Sequence, residues 1–298
     1  MDVENFPLND ETIHQILMHR EIHFGGQFPF MIEYYEEGGK GVQREFSLDM
    51  IRQLQQVEKK LGQNLAAVAL SGPEAETIRQ AKEIYDRLSS LYENPSKEKH
   101  EATLIADLIL TENEDPHSEI EAIVNEQADI VPALIQLIRS EELYNPLFPG
   151  YGEAPHLAIQ CLERIGDERA MLSLFEMIGR NDVFEEESAL RALQAIGEPA
   201  KDFLIKIVNS QPITEDNERA AIALIHFKND PIVASTCFQL ILNPETRKIT
   251  PLSTYLALAC EGLENRDERE QFQKLLSDPT TPSILEPDLK HVANTWKK

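Results

Sequence analysis

Four segments of this chain align without gaps: AIQCLERIGD at 158–167, ALRALQAIGE at 189–198, AAIALIHFKN at 220–229 and LALACEGLEN at 256–265. They are spaced 31, 31 and 36 residues apart. Their fourth column is small throughout, with Cys161, Ala192, Ala223 and Ala259. The fifth holds Leu162, Leu193, Leu224 and Cys260, and three positions on come Ile165, Ile196, Phe227 and Leu263. A small residue beside a large one at helical spacing lets one helix approach the next while the larger side chain fills the gap. Each segment is followed by a turn and a second apolar stretch: ERAMLSLFEMIGR, PAKDFLIKIVNS, PIVASTCFQLIL and DEREQFQKLLS. Gly166 and Gly197 suit left-handed helix stops, Asp167 and Asp230 suit N-caps, and Pro199 and Pro231 suit helix starts. Neither helix of such a pair can bury its apolar stripe alone, so the pairs must stack. The fold class expected is all-α, an α-solenoid of helical hairpins.

Upstream, Glu101–Asn113 and Ile130–Glu142 read as further helices, interrupted by Pro116 and Ala128-Asp129, and fit a degenerate early repeat over 96–142. Downstream, PTTPSILEP is a turn-rich linker to a last helix, Glu286–Lys297, expected to cap the array. The first 95 residues differ. Asp10–Arg20 reads as a helix ended by Gly25-Gly26, and Ser47 caps a helix to Leu61 with Gly62 as its stop. Leu65–Leu70 is ambiguous between strand and helix, its alanines favouring helix, and Pro73 opens a long helix ending near Tyr92. The run FPFMIEYYEEGGKGVQREFS holds two strand-like stretches around Glu37–Gly41 and suggests a β-hairpin. With ENPSK (93–97) as a linker, the division expected is a mainly helical module over 1–95 and the repeat array over 96–298.

The A-x-x-[AC]-L-x-x-[IL]-G pattern, followed by an acidic residue and a second helix, resembles HEAT-like repeats of the phycobilisome-lyase type. It matches best over 158–210. Lys228 replaces the glycine in the third segment, and Gly262 falls inside the motif in the fourth. The resemblance implies a fold more than an activity. It nevertheless brings two enzyme readings with it, a metal-dependent hydroxylase and a chromophore lyase.

Little in the sequence carries chemistry. In HEAT-like hydroxylases several His-Glu pairs hold a di-iron centre, and here His100-Glu101 occurs once. His14, His19 and His23 with Glu21 superficially resemble an HExxH zinc motif, but Glu21 sits two residues after His19 and leaves the ligand face. The acidic stretch Glu112, Glu114, Asp115, His117, Glu119, Glu121 lacks EF-hand spacing and reads as a solvated loop. Gly38-Gly39-Lys40-Gly41 lacks the spacing of a phosphate loop and reads as a hairpin turn. Cys161, Cys237 and Cys260 form no CxxC, so free thiols in a reducing compartment are expected. No catalytic residue, metal ligand or cofactor is assigned.

The charge is more telling. The chain holds 28 basic and 52 acidic side chains, a formal net charge of −24, and residues 101–200 carry −16 of it. A chain of this sign repels phosphate backbones, which argues against nucleic acid and for a protein partner with a basic surface. The longest aliphatic run, Leu65 to Leu70, is too short for a membrane span, and the acidic N-terminus MDVENFPLND is no signal peptide, so a cytoplasmic location is expected. EELYNPLFPGYGEAPH (141–156) interrupts the array with Tyr144, Phe148 and Tyr151 on a proline-stiffened loop. These rings either anchor a partner or fold back over the core. The function expected is a non-catalytic interaction scaffold, with Tyr144, Phe148, Tyr151, Gln136, Arg139, Glu176 and Arg180 as partner-binding candidates.

Overall fold

A computed structural model describes residues 9–93, 100–180 and 183–297. Among these, every regular element is a helix. The chain divides into two compact units within one helix, between Ala158 and Ile159. The module boundary expected at residue 95 lies outside the described residues, as does the expected linker from residue 94 onward.

The first unit begins with α1 (Glu11–His23), capped by Asp10, whose carboxylate accepts from the Thr12 amide at 2.9 Å. After α2 (Phe28–Glu37), α3 (Leu48–Leu61) starts on the Ser47 hydroxyl and stops at Gly62, φ 64°. Asn64 caps the short α4 (Leu65–Ala69), and α5 (Gly72–Glu93) follows. Ile16, Leu17, Met31, Ile51, Leu54 and Leu65 make the dry centre of this bundle. Arg20 is 0% exposed within it. Its guanidinium donates to Glu58 at 2.6 Å, Glu21 at 2.7 Å and Asn64 at 2.9 Å, and lies 4.4 Å over the Phe28 ring. A buried cation is tolerable only with such compensation.

The expected β-hairpin is absent: its first strand is α2. Phe28 and Met31, three residues apart, both face the core, and Pro29 occupies a helix-starting position where its missing N–H costs nothing. Gly38, φ 74°, ends the helix. The residues after it form turns rather than a second strand, because the Gly41 amide donates to the Tyr34 hydroxyl at 2.8 Å and the Gln43 amide to that of Tyr35 at 3.2 Å.

The unit continues with α6 (His100–Leu110), α7 (His117–Asn125), α8 (Val131–Arg139), a short 3-10 turn at Glu141–Tyr144 and the first part of α9 (Ala154–Ile165). Helix α7 corrects the reading of 112–121 as a solvated loop. Glu112, Glu114 and Asp115 do precede it, but from His117 the chain winds so that Ile120 and Ile123 are buried.

The second unit takes the rest of α9 and then α10 (Met171–Phe175), α11 (Val183–Ile196), α12 (Glu198–Val208), α13 (Glu215–Leu224), α14 (Pro231–Leu242), α15 (Pro244–Arg247), α16 (Thr250–Leu258), α17 (Arg266–Lys274) and α18 (Glu286–Thr295). Helix α11 packs on α10 and α12, α12 on α13 and α14, α13 on α16, and α14 on α16 and α17. Every member of the two recurrent columns is buried: Cys161, Ala192, Ala223 and Ala259, then Leu162, Leu193, Leu224 and Cys260. Gly166 and Gly197 take φ of 67° and 79°, and Asp230 caps α14 by accepting from the Ile232 and Val233 amides. Gly262 replaces the motif glycine for another reason. Its amide donates to the Lys228 carbonyl at 2.7 Å, and a Cβ there would sit 2.6 Å from that oxygen. Leu289 and Val292 of α18 are fully buried where that helix packs on α16 and α17. No helix among the described residues is long and apolar enough to cross a membrane.

Candidate functional site

The loop after α8 buries one of its three rings and half-buries the other two. Phe148 is 4% exposed and packs with Ile22 of α1 and Ala81 of α5. The Tyr144 hydroxyl donates to the Ile138 carbonyl at 2.8 Å. Tyr151, held at φ 57° between Gly150 and Gly152, lays its ring against the histidines of α1, 4.8 Å from that of His23. Phe148 is buried, while Tyr144 and Tyr151 are half-buried and keep part of their surface open to solvent.

Their destination is a cluster of rings built on α1. His19 and His23 are one turn apart, with ring centroids 4.6 Å from each other. Around His19 stand Phe24, Tyr35, Phe46 and Tyr151, all within 6.4 Å. His19 is 0% exposed, and neither ring nitrogen has a hydrogen-bond partner among the described residues. Burial, and then the neighbouring His23, push its pKa well below the ordinary histidine range. His23 Nδ1 meets the Tyr85 hydroxyl at 2.8 Å. Burial drives its pKa down to about 4, against a partial upward pull from the Pro146 and Leu147 backbone. Both imidazoles are therefore neutral near pH 7.

One layer out, Glu112 gathers two phenols. The Tyr34 hydroxyl donates to Oε2 at 2.7 Å and the Tyr151 hydroxyl to Oε1 at 3.1 Å. Burial first raises both phenol pKa values. Two glycines of the Gly38–Gly41 turn, Gly39 and Gly41, leave room for these rings. A Cβ on Gly39 would lie 2.2 Å from Tyr34 Cζ, and one on Gly41 would lie 2.2 Å from Tyr151 Cε1. The turn is thus a seat for two tyrosines, which no local sequence signal shows.

Nothing in this cluster is arranged as a metal centre. Among the described residues no group of three or more His, Cys, Asp and Glu side chains is placed to hold a metal ion. His14 points to Glu74 rather than to its two neighbours on α1, and His100 faces Glu126 at 3.1 Å. The thiols of Cys161, Cys237 and Cys260 are buried, which pushes the first two up to about 12 and the third higher than an ordinary thiol, so none is a ready nucleophile.

The four other candidates lie at the surface. Gln136 and Arg139 are exposed on α8 of the first unit. Glu176 and Arg180 are exposed just past α10 of the second, the Arg180 guanidinium donating to the Glu176 carbonyl at 3.0 Å. Leu172 on the same short helix is also exposed, an apolar side chain one turn before Glu176. No protein-family model matches this sequence, and no curated protein matches it either.

Proposed function

We propose that the chain is a non-catalytic scaffold of HEAT-like helical hairpins, docking a protein partner with a basic surface. The observation that carries this reading is the burial of both recurrent columns, Cys161/Leu162, Ala192/Leu193, Ala223/Leu224 and Ala259/Cys260, in a unit where α12 packs on both α11 and α13 and α16 packs on both α13 and α14. Small-beside-large positions repeated at one spacing and all turned inward are what stacked hairpins need. The residues of such an array that remain for a partner are the exposed ones on the second helices, of which Leu172, Glu176 and Arg180 are an adjacent apolar and charged set. Buried thiols and two desolvated, neutral histidines offer little to a substrate, and the excess of carboxylates favours a cationic partner surface.

The experiment compares capture from native lysate by the tagged full chain and by the Glu176→Lys, Arg180→Glu variant. Loss of a specific partner with an unchanged melting curve is the expected result. Equal capture by the variant would remove this face from the account.

A further inference from the structure

The end of α5, α6 and the start of α7 enclose a cleft of about 500 Å³, lined by Tyr92, Leu104, Asp107, Leu110, Thr111, Ser118, Glu119 and Ala122. Its walls divide by chemistry. Leu104, Leu110 and Ala122 form an aliphatic side. Asp107 and Glu119 supply two carboxylates, neither ion-paired among the described residues. Tyr92, 44% exposed, forms part of the lining, and its hydroxyl donates to Asp107 Oδ1 at 2.7 Å. That leaves Oδ2 of Asp107 without a partner among the described residues. Glu119 is held as a carboxylate by donors from Ser118 at 2.7 Å and Thr111 at 3.2 Å. Among the described residues, the Lys40 ammonium donates to the Thr111 carbonyl at 3.2 Å, and the carboxylates acting on it are Glu153 and Glu112 ahead of Glu119.

We propose that this cleft receives an arginine side chain presented by a partner protein, its methylenes against Leu104, Leu110 and Ala122 and its guanidinium between Asp107, Glu119 and the Tyr92 ring. The inference rests on the scaffold reading for the source of the arginine. Three features select the occupant. The aliphatic wall suits a long stem, because charged side chains bury their methylenes and keep the head at polar groups. Asp107 and Glu119 line one cleft, and a guanidinium can donate to two carboxylates at once from its several N–H groups, where an ammonium is a single point charge. An exposed phenol ring is a surface on which a planar cation stacks. The sign agrees with the stretch that forms most of the cleft, since residues 101–200 carry 21 acidic and only 5 basic side chains.

The test is an NMR titration of the isotope-labelled full chain with Nα-acetyl-arginine methyl ester, beside the lysine and citrulline analogues. Saturable shifts are expected at the amides of Leu104, Leu110, Thr111 and Ala122 with arginine, weaker ones with lysine, and none with uncharged citrulline. Asp107→Asn with Glu119→Gln should weaken arginine binding at least tenfold. Tyr92→Phe, which frees Asp107 Oδ1 and keeps the ring, should bind at least as well as the parent, and serves if the double variant fails to fold. Shifts scattered over the acidic surface, equal response to citrulline, or loss of binding in Tyr92→Phe would overturn the proposal. So would a partner that the wild type captures and the folded double variant still holds, an outcome that leaves the scaffold standing. Arginine saturating the cleft while the wild type captures no partner would support the cleft and count against the scaffold.

Discussion

Lys201 Nζ lies 2.7 Å from Asp230 Oδ2, so that one carboxylate both caps α14 through its other oxygen and holds the lysine of α12. Lys201 is 4% exposed and also meets Glu198 at 2.7 Å. The hydrogen bond to Asp230 and then that to Glu198 raise its pKa and so favour the charged ammonium. The link joins α12 to the N-cap of α14.

This double duty ranks three substitutions. Asp230→Ala loses cap and ion pair together and should cost about 2–4 kcal/mol, while Asp230→Asn keeps the cap and should cost about half as much. Lys201→Met removes the charge but leaves the stem's packing, and should fall at or below the Asn variant. Urea denaturation of the three proteins checks the order, and Asp230→Asn proving as costly as Asp230→Ala would contradict it.

Acid should destabilise the first unit through the α1 histidines. Their folded pKa values are depressed, His23 to about 4, whereas an unfolded histidine titrates near 6.5. Between those values the unfolded chain binds protons that the folded chain refuses, so stability is full above about pH 6.5 and is lost as pH falls toward 4. His23 alone accounts for about 3 kcal/mol across that window at roughly 1.4 kcal/mol per pKa unit. His19→Leu, which removes two unpartnered nitrogens from a dry site, should stabilise the protein by about 1 kcal/mol at pH 7 and flatten the acid limb. Denaturation midpoints at pH 7 and pH 5 give both numbers, and an unchanged pH slope in His19→Leu would refute the assignment.

Glycine substitutions in the Gly38–Gly41 turn separate ring contact from backbone strain. Gly38→Ala meets nothing within 4 Å and should cost only about 1 kcal/mol for its positive φ. Gly41→Ala drives a methyl into the Tyr151 ring and should cost about 2–4 kcal/mol. Thermal melts of the two variants decide it, and equal losses would show that the Tyr151 seat has no energetic weight.

Phe148→Ala should cost about 3–5 kcal/mol, as expected for emptying a buried aromatic site. Partner capture by that variant should survive at temperatures where it stays folded. Loss of capture in a variant shown to be folded would return the loop to the binding surface.

How far the sequence reached depends on how local each determinant is. Ser47 and Gly62 bound α3 because a hydroxyl before an apolar stripe and a glycine after it act within one turn of the chain. The recurrent columns were equally plain, since repetition multiplies a weak signal. Helix α2 was missed because Phe28, Met31, Tyr34 and Tyr35 fit a helix face as well as a pleat, and the outcome turns on core contacts made by Phe28 and Met31. Helix α7 was hidden by the carboxylates ahead of it, although Ile120, Ile123 and Val124 at helical spacing could have revealed it. The pairing of Tyr34 and Tyr151 on Glu112 spans up to 117 residues, and no motif links them. The Asp107–Glu119 cleft is likewise formed from three separate helices.

Native-state hydrogen exchange on Ala223→Leu tests the shared interior of the repeats most directly. Ala223 is buried in α13, and the added bulk should cost about 1–3 kcal/mol. One interior shared by successive pairs requires the amides of Leu193 in α11 and Leu256 in α16 to lose protection together with those of α13, by comparable free energies. Loss confined to α13, with Leu193 and Leu256 as slow as in the parent, would contradict the array.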